Sequence, residues 1–184
     1  MVCLNHTRAN GYARGVLMRK CINLGSGALS IESTKDEKWI NMDINYYDGV
    51  DIVKDCSRGI PIDENTISKV LMSHLIEHLD GEQIEDTFRD LYRICKNGAE
   101  ITILTPHYSH PSSWGDYTHK QHLSEWFWEH MQCKQILLPK KIEILWRFNI
   151  KEIKIHDGEL KCIYIVNKSK NYMPTKVEFE KVKK

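Results

Sequence analysis

Apolar positions along the chain fall into short runs, each closed by glycine, proline or asparagine, and the period of each run predicts its element. Cys21–Leu24 is an apolar run stopped by Gly25-Ser26-Gly27, which predicts a strand and a tight turn. Trp39–Ile44 alternates apolar and polar residues, as a half-buried strand does. Asp51–Asp55 and Lys69–Ser73 read as two further short strands. Ile84, Phe88, Leu91, Ile94 and Cys95 recur at helical spacing, and Asn97-Gly98 supplies a helix stop. Ile101–Thr105 is a strand ended by Pro106. A polar and aromatic stretch, His107–His122, reads as a long loop, and Ser124 is placed to cap a helix over Glu125–Met131. Ile142–His156 and Leu160–Val166 flank Asp157-Gly158, the dipeptide that favours a two-residue hairpin turn.

Strands alternating with helical pattern predict an α/β domain, doubly wound, with a mostly parallel sheet and a C-terminal antiparallel β-hairpin at its edge. The expected organisation is a lead-in over residues 1–19 with one short helix, one domain over 20–168, and a Lys-rich tail over 169–184. Sheets of this kind bind ligands beyond the carboxyl ends of their strands.

Composition narrows the function. The 184 residues carry 26 Lys plus Arg against 25 Asp plus Glu, a net charge of +1, so the basic surface that marks a nucleic-acid binder is missing and such a partner is disfavoured. The six cysteines stand singly with no CxxC pair, which reads as reduced thiols and a cytoplasmic location. The sequence shows no secretory leader and no apolar window long enough to span a membrane.

Candidate chemistry begins at the first turn. Gly25 and Gly27 follow a strand directly, where the missing Cβ lets backbone approach a ligand. Asp43 ends the second strand eighteen residues after Gly25, the spacing at which an acid meets a ribose diol. The alternative is a tight turn and a surface carboxylate.

Five segments, in order, carry a resemblance. Ile22-Asn-Leu-Gly-Ser-Gly27, Asn41-Met-Asp43, Asp51–Asp55, Val70–Leu79 with its Glu77-His78 pair, and Leu91–Gly98 leading into Ala99–Pro106 together resemble the class I S-adenosylmethionine-dependent methyltransferases, especially their small, type 11-like branch. The resemblance covers about residues 20 to 130. It implies a Rossmann-like fold and S-adenosylmethionine as cofactor. It implies that Asn23, Gly25 and Gly27 lie along the cofactor, that Asp43 receives the ribose hydroxyls, that Asp55 and Cys56 frame the adenine, and that Ser73 and His74 line the methionine end. Asn23 stands where the family usually has an acid, and Leu29 where it has a third glycine.

Asp116-Tyr-Thr-His119 resembles the Asp-Pro-Thr-His element of related methyltransferases, with Tyr117 in the proline place. Three readings of the loop histidines stand side by side. His119 or His107 is a general base, with Asp116 beside it, because imidazole titrates near neutrality. Alternatively, His107, His110, His119 and His122 hold a metal with Asp116, which would suit a metal-dependent hydrolase. Or the histidines only tie the loop down. Tyr108, Trp114 and Tyr117 are the candidate walls of an acceptor pocket. The expected function is methyl transfer to an oxygen or nitrogen of a small-molecule or carrier-linked acceptor, the alternative being a cofactor-binding regulatory module without catalysis.

Overall fold

The computed structural model describes residues 18–138 and 141–170. Strands β1 (Arg19–Leu24), β2 (Glu37–Asp43), β3 (Ile52–Val53), β4 (Ile67–Ser73) and β5 (Cys95–Pro106) run parallel in the order β3-β2-β1-β4-β5. Three antiparallel strands continue the sheet beside β5, namely β8 (Glu159–Val166), β7 (Lys141–His156) and β6 (Cys133–Leu138). The β7–β8 hairpin forms as the Asp157-Gly158 dipeptide predicts, with both residues at positive φ (48° and 80°), the geometry of a type I′ turn. The antiparallel C-terminal strands fit the expected hairpin at the edge of the parallel sheet, and the sequence reading misses only the further strand β6 (Cys133–Leu138) beside it.

Helix α1 (Gly81–Ile94) is the principal helix among the described residues. Asp80 caps it, accepting from the Gln83 N–H at 2.9 Å while the Gln83 side chain accepts from the Asp80 N–H at 2.9 Å. Ile84, Thr87, Phe88, Leu91 and Ile94 form its buried stripe. They pack on the sheet face that carries Ile22, Leu24, Met42, Val70, Met72, Ile101 and Ile103. At the antiparallel end, Phe88 meets Trp146, Phe148 and Tyr164 with ring centroids 5.9, 5.8 and 6.3 Å away. The polar atoms of these rings are satisfied: Trp146 Nε1 donates to Met131 O at 2.9 Å, and the Tyr164 hydroxyl donates to Trp128 O at 2.6 Å. Burial pushes the thiols of Cys56 and Cys95 up to about 11 and about 12, so these cysteines are core residues in the neutral form.

Several local expectations change. The helix ends at Ile94, and Asn97-Gly98 lies three residues further on within β5, where Asn97 accepts the Lys168 N–H at 2.8 Å. The backbone of Asn65 and Thr66 bonds to the carbonyls of Arg93 and Ile94, which draws the chain into the sheet before the glycine is reached. Ser124 occupies the N-cap of α3 (Glu125–His130), but its side chain makes no capping bond. The expected loop contains a short helix, α2 (Pro111–Gly115), capped by the His110 ring. Arg19, counted with the lead-in, already belongs to β1, while the rest of the lead-in before Met18 and the tail beyond Lys170 lie outside the described residues. Residues 25–36, between β1 and β2, are turns and irregular chain.

Candidate cofactor cavity and the loop beside it

The turn after β1 is held by β2. The N–H groups of Gly25 and Ser26 donate to Met42 O at 2.9 and 3.2 Å. Gly25 is at φ 67°, and a Cβ there would lie 3.0 Å from the Leu75 Cβ, so both backbone angle and space require glycine. Gly27, at φ 52°, has nothing within 4 Å of the place a side chain would start, and its N–H donates to Asp43 Oδ2 at 2.8 Å. The other oxygen of Asp43 accepts from the Asn45 N–H at 2.8 Å. Each carboxylate oxygen keeps acceptor capacity after these bonds.

Gly25, Met42, Asp43, Ile44, Lys54, Asp55 and Cys56 line one cavity of about 240 Å³, closed on the other side by Leu75, His78, Leu79, Gln83 and Lys120. It sits at the carboxyl ends of β1 and β2, next to the point where the strand order reverses between β1 and β4. Asp55 caps the 3-10 turn Cys56–Arg58, accepting from Ser57 N at 2.9 Å and Ser57 Oγ at 2.7 Å, so its side chain shapes this wall. Ile44 is an apolar side chain 62% exposed at the rim.

A second cavity adjoins the first at Gly25 and is lined by Asn23, Ser26, Gly27, Leu71, Ser73 and His74, among others. Asn23 is buried, and its amide donates to Leu29 O and Asn41 Oδ1 at 3.3 and 3.2 Å, which ties the loop to β2. His74 leaves β4 at φ 51°, an uncommon conformation for a residue with a side chain. Its ring lies between two carboxylates, with Nδ1 3.2 Å from Glu77 and Nε2 3.3 Å from Glu159.

The loop histidines separate. His107 is buried, with Nδ1 2.7 Å from Ser109 Oγ and Nε2 3.1 Å from Glu125, which brackets β5 to α3. His110 caps α2, and His122 bonds Ser113 Oγ at 3.0 Å beneath the Trp114 ring, stacked at 3.5 Å. His119 goes elsewhere, against the ring of His78 with centroids 4.8 Å apart. Asp116 accepts from Thr118 N and Thr118 Oγ, which holds its carboxyl below the usual range. Tyr108, Trp114 and Tyr117 are exposed, Tyr117 at 97%, and line neither cavity. Sequence reasoning assigned no site role to Ile44, Lys54, Leu75, Leu79 and Gln83, and read Lys120 as a surface lysine that could meet a phosphate-bearing acceptor. Leu75 and Leu79 flank the Glu77-His78 pair, Lys54 lies within Asp51–Asp55 and Lys120 within the His107–His122 loop, so the segments signalled a site where the individual residues did not.

No protein-family model matches the chain, and no curated protein sequence matches it. Solved structures do match. A SAM-dependent methyltransferase from Aquifex aeolicus is 14% identical with TM-score 0.56, covering 83% of this chain and 85% of that one. A second from Archaeoglobus fulgidus is 16% identical with TM-score 0.56, covering 82% and 87%. A Haemonchus contortus phosphoethanolamine N-methyltransferase, solved with phosphoethanolamine and S-adenosylhomocysteine, is 10% identical with TM-score 0.62, covering 88% of this chain and 42% of that one. The chain therefore has the class I methyltransferase fold.

Proposed function

We propose that the protein is an S-adenosylmethionine-dependent methyltransferase. The observation that carries this reading is the convergence of Gly25, Asp43 and the Lys54–Cys56 turn on one cavity at the strand-order reversal of a sheet with that fold. The donor set fits the cofactor part by part. Asp43 offers acceptors to a ribose diol, Met42, Ile44 and Leu79 offer an apolar slot to a purine, and the glycine turn leaves room for backbone approach. Ser73 and His74 line the adjoining cavity and take the methionine end, with Gly25 common to both cavities.

The cofactor supplies an activated methyl group when bound. Transfer is an in-line displacement, so the chain's contribution is to hold acceptor and sulfonium collinear and dry, an effect worth up to about 7–11 kcal/mol of barrier. The acceptor is a small or carrier-linked molecule bearing an oxygen or nitrogen nucleophile, received on the loop side of the cavity where Asp116 and His119 stand beside His78. Tyr108, Trp114 and Tyr117 form the outer, solvent-facing part of that approach, which an acceptor would cover.

Calorimetry with S-adenosylmethionine and S-adenosylhomocysteine tests the reading. Saturable 1:1 binding of both is expected, and absence of heat at millimolar ligand overturns it. A chain that binds both but releases no S-adenosylhomocysteine with oxygen and nitrogen acceptors would instead be a cofactor-binding module.

A further inference from the structure

We propose that Glu77, His78 and His119 form a site for one divalent transition-metal ion of the zinc class, at the foot of the loop and open toward the cofactor cavity. One ligand atom from each of the three lies within 4.8 Å of the others. The two segments that supply them are forty residues apart in sequence, yet they are fixed to each other by backbone. The N–H groups of Lys120 and Gln121, directly after His119, donate to Glu77 O at 2.7 and 3.0 Å.

Hydrogen bonding sets both imidazoles in the tautomer a metal needs. His119 Nδ1 is 2.9 Å from Ser113 O, a carbonyl that only accepts, so Nδ1 carries the proton. Thr118 Oγ gives its own proton to the Asp116 carboxylate at 2.6 Å, so toward His78 Nδ1, at 3.0 Å, it acts as acceptor, and that nitrogen also carries the proton. With Nδ1 so occupied, Nε2 is the nitrogen each ring has to offer a metal. Metal-bound histidines are held in this way, by the outer nitrogen donating to a carbonyl, a carboxylate or a group backed by one.

The third member has the complementary charge. The Glu77 side chain is 2% exposed, and its ion-pair partner among the described residues is His74, with no lysine or arginine. Thr105 Oγ donates to its other oxygen at 3.1 Å. A carboxylate so removed from water is expensive without a cation, and a bound ion offsets that cost. An ion with ligands at about 2.1 Å spaces them about 3.4 Å apart, so the widest separation closes by a little over an ångström on binding. Two imidazoles and one carboxylate leave coordination positions open, and they select zinc-class ions over magnesium or calcium. The open positions take an oxygen donor such as a hydroxyl or carboxylate. Asp116 Oδ2 stands 3.9 Å from His119 Nε2, beside this site. The ion's service to an acceptor rests on the methyltransferase reading, whereas metal binding itself does not.

The test uses the full-length protein stripped with chelator, titrated with zinc alone in the absence of S-adenosylmethionine, and cobalt(II) absorption as a second probe. One zinc per chain is expected, with affinity lowered about 100-fold in His119→Ala and His78→Ala, and about 10- to 100-fold in Thr118→Val through the orienting bond. His110→Ala, on the exposed side of the loop, leaves affinity unchanged. Circular dichroism melting establishes that each variant is folded. Sub-stoichiometric zinc, affinity indifferent to His119→Ala in folded protein, or a cobalt–thiolate charge-transfer band would overturn the site. S-adenosylmethionine calorimetry on the stripped protein keeps the outcomes apart: a protein that binds the cofactor but takes up no zinc refutes the metal site and leaves the methyltransferase reading standing, and one that takes up zinc but binds no cofactor does the reverse.

Discussion

Asp43→Ala separates the fastening role seen for this carboxylate from the ribose contact proposed for it. In the folded chain its oxygens accept the N–H groups of Gly27 and Asn45, each at 2.8 Å, so Asp43 fastens the glycine turn to the end of β2. Bonds to a charged acceptor contribute about 1.5–3 kcal/mol each. The cavity lets water reach the freed donors, so we expect a net loss of about 2 kcal/mol. At this chain length that lowers the melting temperature by about 4–8 °C. Losing the ribose contact as well removes about 2 kcal/mol of binding, which weakens Kd about 30-fold. Differential scanning calorimetry with and without S-adenosylmethionine reads both effects. At a ligand concentration of about 100 times the parent Kd, ligand stabilises the parent by about 2.7 kcal/mol and the variant by only about 0.9. Asp43→Asn retains one acceptor oxygen and keeps more stability than Asp43→Ala while losing cofactor affinity. Equal ligand-induced stabilisation in parent and Asp43→Ala would refute the ribose role and leave Asp43 as a fastener only.

The two glycines of the turn divide differently. Both take a left-handed backbone that costs a substituted residue about 1–2 kcal/mol, but only at Gly25 does a Cβ also meet Leu75 at 3.0 Å. Gly25→Ala therefore melts lower than Gly27→Ala, and the reverse order in a thermal scan would contradict the packing argument. A second clamp lies away from the cavity. Arg93 donates to Asp90 Oδ1 at 2.8 Å and to the carbonyls of Ile62 and Ile60 at 2.8 and 2.7 Å, while Asp90 also accepts the Ile60 N–H. Arg93→Ala should cost about 2–3 kcal/mol by urea unfolding. Burial raises the Asp90 carboxyl, but Arg93 and the Ile60 N–H outweigh it and hold the group below its ordinary value. A carboxyl lowered in the folded state stabilises above the unfolded pKa, and that contribution disappears as pH falls through the folded value. Asp90→Asn is thus expected to flatten the stability profile below about pH 4, and an unchanged acid limb would count against the clamp.

Much of the parallel half, and the β7–β8 hairpin, was legible in sequence because their signals are local. Alternation in Trp39–Ile44, helical spacing from Ile84 to Ile94 and the Asp157-Gly158 turn each act over a few residues, where period and backbone preference dominate. The Asn97-Gly98 stop fails for the opposite reason: strand pairing with β4 and bonds from Asn65 and Thr66 end the helix earlier than its own chemistry requires. The β6 strand was missed because a partner, β7, makes it a strand.

The candidate site divides along the same line. The glycine turn and the acid eighteen residues later were readable along the chain, because a tight turn and a strand end need particular residue types at short spacing, whereas Asp55 and Cys56 after β3 came from the family resemblance. Which histidine does what was decided by the tertiary structure alone. His107, His110, His119 and His122 look equivalent along the chain, yet His107 faces Glu125, His110 caps α2, His122 stacks under Trp114, and only His119 is brought to Glu77 and His78. A proton's place on an imidazole, and so the ring's capacity to hold a metal, depends on the partner across the space from it. That partner is supplied by a different strand, turn or loop, and no spacing along one segment encodes it.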